Sequence, residues 1–202
     1  ANLQTRSNAL FTPAKPVVLN CSNLWVVSCN SGFTPKPKGY FRIDLPNHDY
    51  RSFSPVAPFS IPVSAFAKVE MLDKKQNQDS CRFNIYYPRL KARVHCTFLS
   101  VKNNIDQLVA DAYTFASKHE MKASAIEREM IDFPERNVFG IQYRIEGEAA
   151  SPLQLFLTDS TSKFLRCALY FETAPNPDSI APVYQYIARD IQYLTENLTW
   201  KK

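Results

Sequence analysis

The sequence predicts an α+β domain in which an antiparallel β-sheet is packed by two main helices. Segments that alternate apolar and polar residues are typical of strands, and here they follow one another along the chain. Two longer segments repeat apolar residues every three to four positions, which is typical of helices that pack on a sheet. Runs of strands without strict βαβ alternation favour α+β over a parallel α/β fold.

The first part of the domain contains a predicted strand, a proline-rich connection and a second apolar segment. GYFRIDLP, residues 39–46, alternates like a strand with one buried face. The connection between Pro46 and Pro62 is ill suited to a central strand, because proline has no backbone N–H for the sheet. AFAKVEML, residues 65–72, resumes the apolar pattern, and the charged run after it is predicted to be a loop.

A β-hairpin is predicted from residues 81–88 and 91–101, CRFNIYYP and KARVHCTFLSV, with its turn at residues 88–90. The alternation predicts two sets of apolar residues, with Phe83, Ile85 and Tyr87 on one face and Val94, Cys96 and Phe98 on another. The cross-strand pairs of such a hairpin would contribute to the core.

The period becomes helical after the hairpin. A helix is predicted from Asn104 to about His119, and Asn104 with Gln107 resembles a capping pair. SAIEREMI, residues 124–131, begins with the capping-box spacing of Ser124 and Glu127, yet it fits a strand equally well. The sequence pattern leaves both alternatives open for this segment.

Three strands and a long helix are predicted in the carboxyl-terminal half. The strands are VFGIQYRIEG, PLQLFLTD and KFLRCALYF, and DSTS at residues 159–162 forms the last turn between them. The helix carries an apolar stripe, and Trp200 is predicted to close the core beside it; the stripe consists of Ile180, Val183, Tyr184, Ile187, Ile191, Leu194 and Leu198. This order of elements resembles the Mog1/PsbP-type α/β/α sandwich, a likeness of topology that implies no activity.

Composition excludes several classes of function. The net charge of +5 is spread along the 202 residues instead of forming a basic stripe, which argues against nucleic-acid binding. The chain contains only four glycines and no glycine-rich phosphate loop, which argues against nucleotide hydrolysis and dinucleotide cofactors. No apolar run approaches the roughly 20 residues that a membrane-spanning helix needs.

The segment Val26-Val27-Ser28-Cys29 looks like the lipobox of bacterial lipoproteins. In that class the cysteine sulfur receives a diacylglycerol, the peptide is cut before the cysteine, and the new amino group is acylated. Each buried methylene contributes about 0.8 kcal/mol, so two or more acyl chains form a lasting anchor. The alternative interpretation, an apolar strand LWVVSC with an incidental cysteine, stays open on these four residues alone.

The lipobox divides the chain into three parts. Residues 1–28 are predicted to be an atypical signal peptide, because Asn20, Ser22 and Asn23 interrupt its apolar segment. Residues 29–38 contain the lipidated cysteine and an extended spacer with two Xaa-Pro steps, and residues 39–202 form the single α+β domain.

No catalytic motif or metal site is predicted, because the three histidines lack paired ligand spacing and no GxSxG or CxxC occurs. Cys81 and Cys96 flank the hairpin at a separation that could allow a disulfide in an exported domain. The favoured alternative is that both are small buried residues, and Cys167 is expected in the core.

Long segments of the chain resemble the gliding-motility lipoprotein GldD family. The segments are TPKPKGYFRIDLP, CRFNIYYP and the run from LTDSTSKFLRCALYF to PNPDSIAP, and the resemblance extends from Cys29 to nearly the end of the chain. It implies a lipoprotein of gliding bacteria that is required for movement over surfaces and is associated with type IX secretion. It also implies that Cys29 is the lipid attachment site, and it brings no catalytic residue and no cofactor.

We therefore expect a non-enzymatic interaction component, held at a membrane by the acylated cysteine beside other lipoproteins or membrane proteins of the motility and secretion machinery. Asn30-Ser31-Gly32 follows the cysteine instead of an acidic run, which favours a periplasm-facing position over the cell surface. The alternative is an exported small-ligand or cell-wall-binding domain, with the added option of a hydrolase that uses a pocket between the sheet and the helices.

Overall fold

The structure is a computed structural model, and it describes residues 43–73, 77–118, 123–173 and 177–201. All of them belong to one compact unit, Lys38–Lys202. The predicted signal peptide, Cys29 and the spacer lie outside the described residues. So do residues 39–42 of the first predicted strand, and residues 43–46 of that segment are not a strand. Ile43 and Leu45 are 38% and 37% exposed, so the apolar alternation there has no sheet partner to bury it.

The described residues contain ten strands and two α-helices. In chain order they are β1 Tyr50–Phe53, β2 Phe59–Ser64, β3 Lys68–Met71, β4 Ser80–Tyr87, β5 Ala92–Ser100, α1 Ile105–Ser117, β6 Ala123–Phe133, β7 Val138–Gly147, β8 Leu153–Thr158, β9 Lys163–Phe171, α2 Pro177–Asn197 and β10 Thr199–Trp200.

Seven strands form one antiparallel sheet in the order β3-β4-β5-β9-β8-β7-β6, and three form a small sheet in the order β1-β2-β10. Helix α1 packs on one face of the large sheet through Ala112 and Ala116, which contact Tyr143, Phe156 and Phe164. Helix α2 and strand β2 cover the other face, where the main core lies. The predicted α+β class, with an antiparallel sheet and two helices, is confirmed.

The β4–β5 hairpin forms as predicted, with a 3-10 turn at Pro88–Leu90. The assignment of its apolar residues to two faces is wrong. Phe83 lies opposite Cys96 and Ile85 lies opposite Val94, and directly opposed residues of an antiparallel pair point to the same face. Both sets therefore enter the main core together, as their burial shows.

Helix α1 ends one residue before Lys118, close to the predicted end. Asn104 occupies the N-cap position, but its side chain makes no capping bond and instead accepts a hydrogen bond from the Lys102 backbone N–H at 2.8 Å. The undecided segment 124–131 is a strand and belongs to β6. Ten of the eleven residues of β6 pair with the long strand β7, and local capping signals do not reveal this pairing.

The proline-rich connection contains β2, which is the central strand of the small sheet, contrary to the prediction. The register explains how Pro62 is tolerated there. Strand β10 pairs only with Ser60 and Phe59, so Pro62 has a strand partner on one side, Ser52 of β1. At its own position Pro62 therefore behaves like an edge residue.

The apolar stripe of α2 is confirmed and forms one wall of the main core. Its buried members on the helix are Val183, Ile187, Ile191 and Leu194, and Leu198 is buried directly after the helix ends. A fully buried aliphatic side chain contributes about 1.5–3 kcal/mol, so this stripe is a major source of stability. Trp200 is half-buried against the core, and its indole N–H donates to the Asn137 carbonyl at 2.9 Å.

Asp159 organises the predicted DSTS turn between β8 and β9. Its Oδ1 accepts hydrogen bonds from the backbone N–H groups of Thr161, Ser162 and Lys163 at 3.0, 2.7 and 2.8 Å. Partial burial acts to raise the pKa of Asp159, but these bonds outweigh it and hold the pKa well below its usual value. The turn is therefore stabilised by the ionised carboxylate.

We predict that Asp159→Ala lowers the free energy of unfolding by about 2 kcal/mol at neutral pH, because charged hydrogen bonds are lost. A depressed folded-state pKa contributes stability above about pH 4, and that contribution is lost as pH falls through the folded-state value. The gap between wild type and variant in urea unfolding should therefore narrow below about pH 4. Asp79→Ala, which removes only an exposed pair with Lys102, is the control. A gap that does not change with pH would contradict this role.

Candidate interaction cleft along helix α2

An open cleft lies between α2 and the strands β6 and β7. It has three adjoining parts with volumes of about 550, 280 and 270 Å³, and Arg144 lines all three. One flank of α2 forms the first wall and includes Tyr184, Ala188 and Gln192. Alternate side chains of β6 and β7, which include Glu127, Glu129, Gln142 and Arg144, form the second wall.

The register between β6 and β7 brings the polar side chains of the second wall together. Glu127 lies opposite Arg144, and Glu129 lies opposite Gln142. The Arg144 guanidinium donates to Glu129 Oε2 at 2.8 Å, and the Gln142 amide donates to the same oxygen at 3.2 Å. Because the Arg144 and Glu129 side chains are 47% and 57% exposed, solvent screens this ion pair and it contributes little to stability. These groups are available to a ligand or partner.

The cleft is acidic although the chain as a whole carries a net charge of +5. Five carboxylate residues line it against two arginines: Glu127, Glu129, Asp132, Glu146 and Glu196 against Arg144 and Arg189. The charges of the cleft also act on the pKa of Tyr184. Burial raises the pKa of its hydroxyl, Arg144 acts to lower that pKa, and Glu127 and Glu146 raise it further. An excess of negative charge favours a basic partner.

Strand β6 forms the outer rim of the cleft and one edge of the large sheet. It pairs with β7 on one side, and no strand of the described residues pairs with its other side. Most of its residues are exposed, and Met130 is 82% exposed. The unpaired backbone groups of an edge strand are a template for another strand. The rim can therefore accept an extended segment of a partner.

A second polar cluster surrounds Asp190, which is buried on α2. Its Oδ1 accepts from His48 Nδ1 at 2.7 Å and from the Tyr50 hydroxyl at 3.0 Å, and its Oδ2 accepts from the Tyr87 hydroxyl at 3.0 Å. The His48 ring stacks on Tyr186 with 4.3 Å between the ring centroids. Burial, followed by the Asp190 charge, raises the pKa of Tyr87 well above its usual value and keeps its hydroxyl a donor.

A histidine beside a buried carboxylate also occurs in acid–base catalysis. Here the carboxylate accepts hydrogen bonds from two tyrosines in addition to the histidine, and the imidazole is held by stacking. The arrangement therefore joins residues 48–50 and β4 to α2. Among the described residues, no group of three or more His, Cys, Asp or Glu side chains could hold a metal ion.

The cysteines that the sequence analysis singled out do not lie together in one site. Cys29 lies outside the described residues. Cys81 lies opposite Phe98 and Cys96 lies opposite Phe83, so the two cysteines occupy diagonal positions of the hairpin, and both are buried with no bond between them. Cys167 is in the core as expected, directly opposite Cys96 on the neighbouring strand.

Sequence reasoning missed Asp190 and Arg144. A signal for Asp190 exists, because it follows Ile187 by three positions and Val183 by seven and so falls within the apolar stripe of α2. A carboxylate at such a position is buried and needs donors. Arg144 carries no comparable local signal, since alternation alone does not show which face of β7 meets α2.

Comparison with known proteins identifies the family. The sequence model described as gliding motility lipoprotein GldD matches residues 30–200. The chain belongs to the GldD lipoprotein family. No curated protein matched the chain. Membership in the GldD family implies a role in gliding motility and anchoring to a membrane, and this is a family of motility lipoproteins that are not known as enzymes. In the described part of this GldD-family chain, no helix has the length and apolar character needed to cross a membrane.

We predict that Asp190→Ala lowers the free energy of unfolding by about 3 kcal/mol, because it leaves the Tyr87 hydroxyl buried without an acceptor. Urea unfolding followed by circular dichroism measures the loss. Glu196→Ala on the exposed face of the same helix is the matched control and should change stability by no more than about 0.5 kcal/mol. Equal effects of the two substitutions would show that the Asp190 cluster does not hold the fold together.

Proposed function

We propose that the chain is a periplasm-facing lipoprotein that acts as a non-enzymatic interaction component of the gliding-motility and type IX secretion machinery. The observation that carries this proposal is the family match, which begins at residue 30, directly after Cys29. The lipobox pattern at Val26-Val27-Ser28-Cys29 supports Cys29 as the attachment site, and the absence of an acidic run after it supports a periplasm-facing position.

The acidic cleft and the β6 edge support a docking role. We assign to them an extended, basic segment of another membrane protein or lipoprotein of the machinery. Backbone hydrogen bonds to β6 would bind the segment, and Glu127 and Glu129 would select its Lys and Arg side chains. The layered arrangement, with α1 and α2 on opposite faces of the sheet, also supports the predicted Mog1/PsbP-like sandwich, which remains part of the proposal.

A second candidate function, the binding of an exported small ligand or cell-wall fragment, is favoured by the largest part of the cleft. Its volume of about 550 Å³ suits a small ligand, and Glu127, Glu146, Arg144 and Tyr184 meet there. The predicted option of a hydrolase belongs to this same cavity. Titration of the protein with soluble cell-wall fragments tests the binding alternative. Saturable binding that is lost in Arg144→Ala would favour this alternative.

The lipid anchor is tested by Cys29→Ala expressed in gliding cells. We expect the wild-type chain to sediment with membranes, and the variant to move to the soluble fraction, because the acyl chains are the proposed anchor. Circular dichroism of the purified variant should match that of the wild-type domain. A variant that stays in the membrane fraction would contradict anchoring through Cys29.

The docking surface is tested by reversing two charges, Glu127→Lys together with Glu129→Lys. We expect crosslinking to components of the machinery in native membranes to fall about tenfold, the effect of roughly 1.4 kcal/mol, and spreading of cells over a surface to decrease. Asp79→Lys with Asp111→Lys makes the same charge change at exposed positions that do not line the cleft. If both double variants crosslink and spread equally, the cleft does not dock a partner.

A further inference from the structure

Two buried cysteines meet in the middle of the large sheet, on strands that are far apart in the sequence. Cys96 on β5 and Cys167 on β9 are direct partners in the antiparallel register. Their sulfur atoms are 2.9 Å apart, which is about 0.9 Å more than a disulfide bond length. Both residues are 1% exposed and belong to the main core. The sequence provides no sign of this pairing, because 71 positions separate the two residues.

Directly opposed residues of an antiparallel ladder are either hydrogen-bonded or non-hydrogen-bonded pairs, and the backbone bonds between β5 and β9 show to which kind Cys96 and Cys167 belong. The Val101 N–H donates to the Ser162 carbonyl, and the Glu172 N–H donates to the Lys91 carbonyl, both at 2.8 Å. Both bonds join residues that are opposed in the β5–β9 register, so both pairs are hydrogen-bonded pairs. Each of them lies five positions along the strands from the cysteine pair, which is an odd number. Hydrogen-bonded and non-hydrogen-bonded pairs alternate along an antiparallel ladder. Cys96 and Cys167 therefore form a non-hydrogen-bonded pair.

This kind of pair suits a disulfide. Its Cα atoms are typically about 4.5 Å apart and its side chains approach closely, whereas disulfides need a Cα separation of roughly 4.4–6.8 Å. Cys81 and Cys96 differ in this respect, because diagonal neighbours on adjacent strands have Cα atoms about 7–8 Å apart. The backbone thus admits one cross-strand bridge at Cys96 and Cys167 with little rearrangement.

We propose that Cys96 and Cys167 form a disulfide bond that joins the central strand β9 of the sheet to its neighbour β5. The bond forms by thiol–disulfide exchange with a dithiol oxidoreductase in its disulfide form. One cysteine thiolate attacks the oxidoreductase disulfide and gives a mixed disulfide, and the second cysteine thiolate then displaces the oxidoreductase sulfur. The two cysteines lose two protons and two electrons, and the oxidoreductase is reduced to its dithiol.

The burial of both sulfurs sets the time at which the exchange can occur. Burial, followed by the contact with Cys167, raises the pKa of Cys96 well above its usual value, so little thiolate exists in the folded domain. The exchange therefore takes place before the core closes around β5 and β9. Once formed, the bond is shielded from external thiols, which makes it structural instead of switchable.

The bridge would close a loop that contains α1, β6, β7 and β8. This loop includes strands β6 and β7, which form the second wall of the acidic cleft. A crosslink limits the freedom of that loop in the unfolded chain and so favours the folded domain. The inference rests on the proposed function in one respect, since a periplasm-facing chain meets disulfide-donating oxidoreductases that the cytoplasm lacks.

The bond is tested on the full chain extracted from native cells, with free thiols alkylated by iodoacetamide during denaturing lysis. We expect proteolysis without reductant to release a crosslinked peptide pair that contains Cys96 and Cys167, with Cys81 alkylated. Cys81→Ser should keep this pair and Cys96→Ser should abolish it. Alkylation of both Cys96 and Cys167 would overturn the proposal, as would a link between Cys81 and Cys96, the pairing suggested by the hairpin spacing.

A second measurement does not depend on any variant being folded. The wild-type full chain should show a lower urea midpoint of unfolding after reduction with dithiothreitol than before it, and an unchanged midpoint would overturn the bridge. The anchor is assayed separately by the membrane fractionation of Cys29→Ala. If Cys96 and Cys167 are crosslinked but Cys29→Ala stays in the membrane fraction, only the lipid anchor is contradicted. If Cys29→Ala leaves the membrane fraction but Cys96 and Cys167 are reduced, only the disulfide is contradicted.

Discussion

The packing of α2 across the large sheet is the constraint on which the rest of the structure depends. Its apolar stripe provides one wall of the main core, opposite the inward residues of β4, β5, β8 and β9. One flank of the same helix lines the acidic cleft, and Asp190 on it binds residues 48–50 and β4. Moving α2 would therefore expose the core, open the cleft and break the Asp190 cluster together.

A carboxylate that is buried on α2 needs several hydrogen-bond donors. Asp190 shows this, because a carboxylate removed from water is costly unless donors replace the water. His48, Tyr50 and Tyr87 supply those donors from two separate segments. The cleft follows the opposite rule, since its carboxylates remain exposed and screened. Burial therefore distinguishes a carboxylate that holds the fold from carboxylates that remain free for a partner.

The large sheet has a closed centre and one long open edge. Strands β5 and β9 have a neighbour on each side and bury one face in the main core, whereas β6 pairs on one side and carries exposed charges. Exposed charges on an edge strand protect it from indiscriminate pairing with other chains and leave pairing to a complementary partner. An edge of this kind is a suitable contact surface for the docking role that we propose.

The sequence alone determined the type of most elements and the family. Period-two alternation identifies β4, β5 and β7–β9, the helical period identifies α1 and α2, and the DSTS turn follows from its own side chains. These features depend on neighbours within a few residues, and the local pattern records them. The ambiguous segment 124–131 and the shared face of Phe83 and Val94 depend on pairing between strands, which local periods do not specify.

The tertiary structure decided every contact between distant segments. His48 meets Asp190 across 142 positions, and Cys96 meets Cys167 across 71. The acidic cleft likewise combines β6, β7 and α2, which are not adjacent in the chain. Such contacts depend on sheet order, register and the placement of α2, and these follow from how the whole core packs. The sequence therefore determined what most segments become, because their patterns are local, and packing decided which side chains meet.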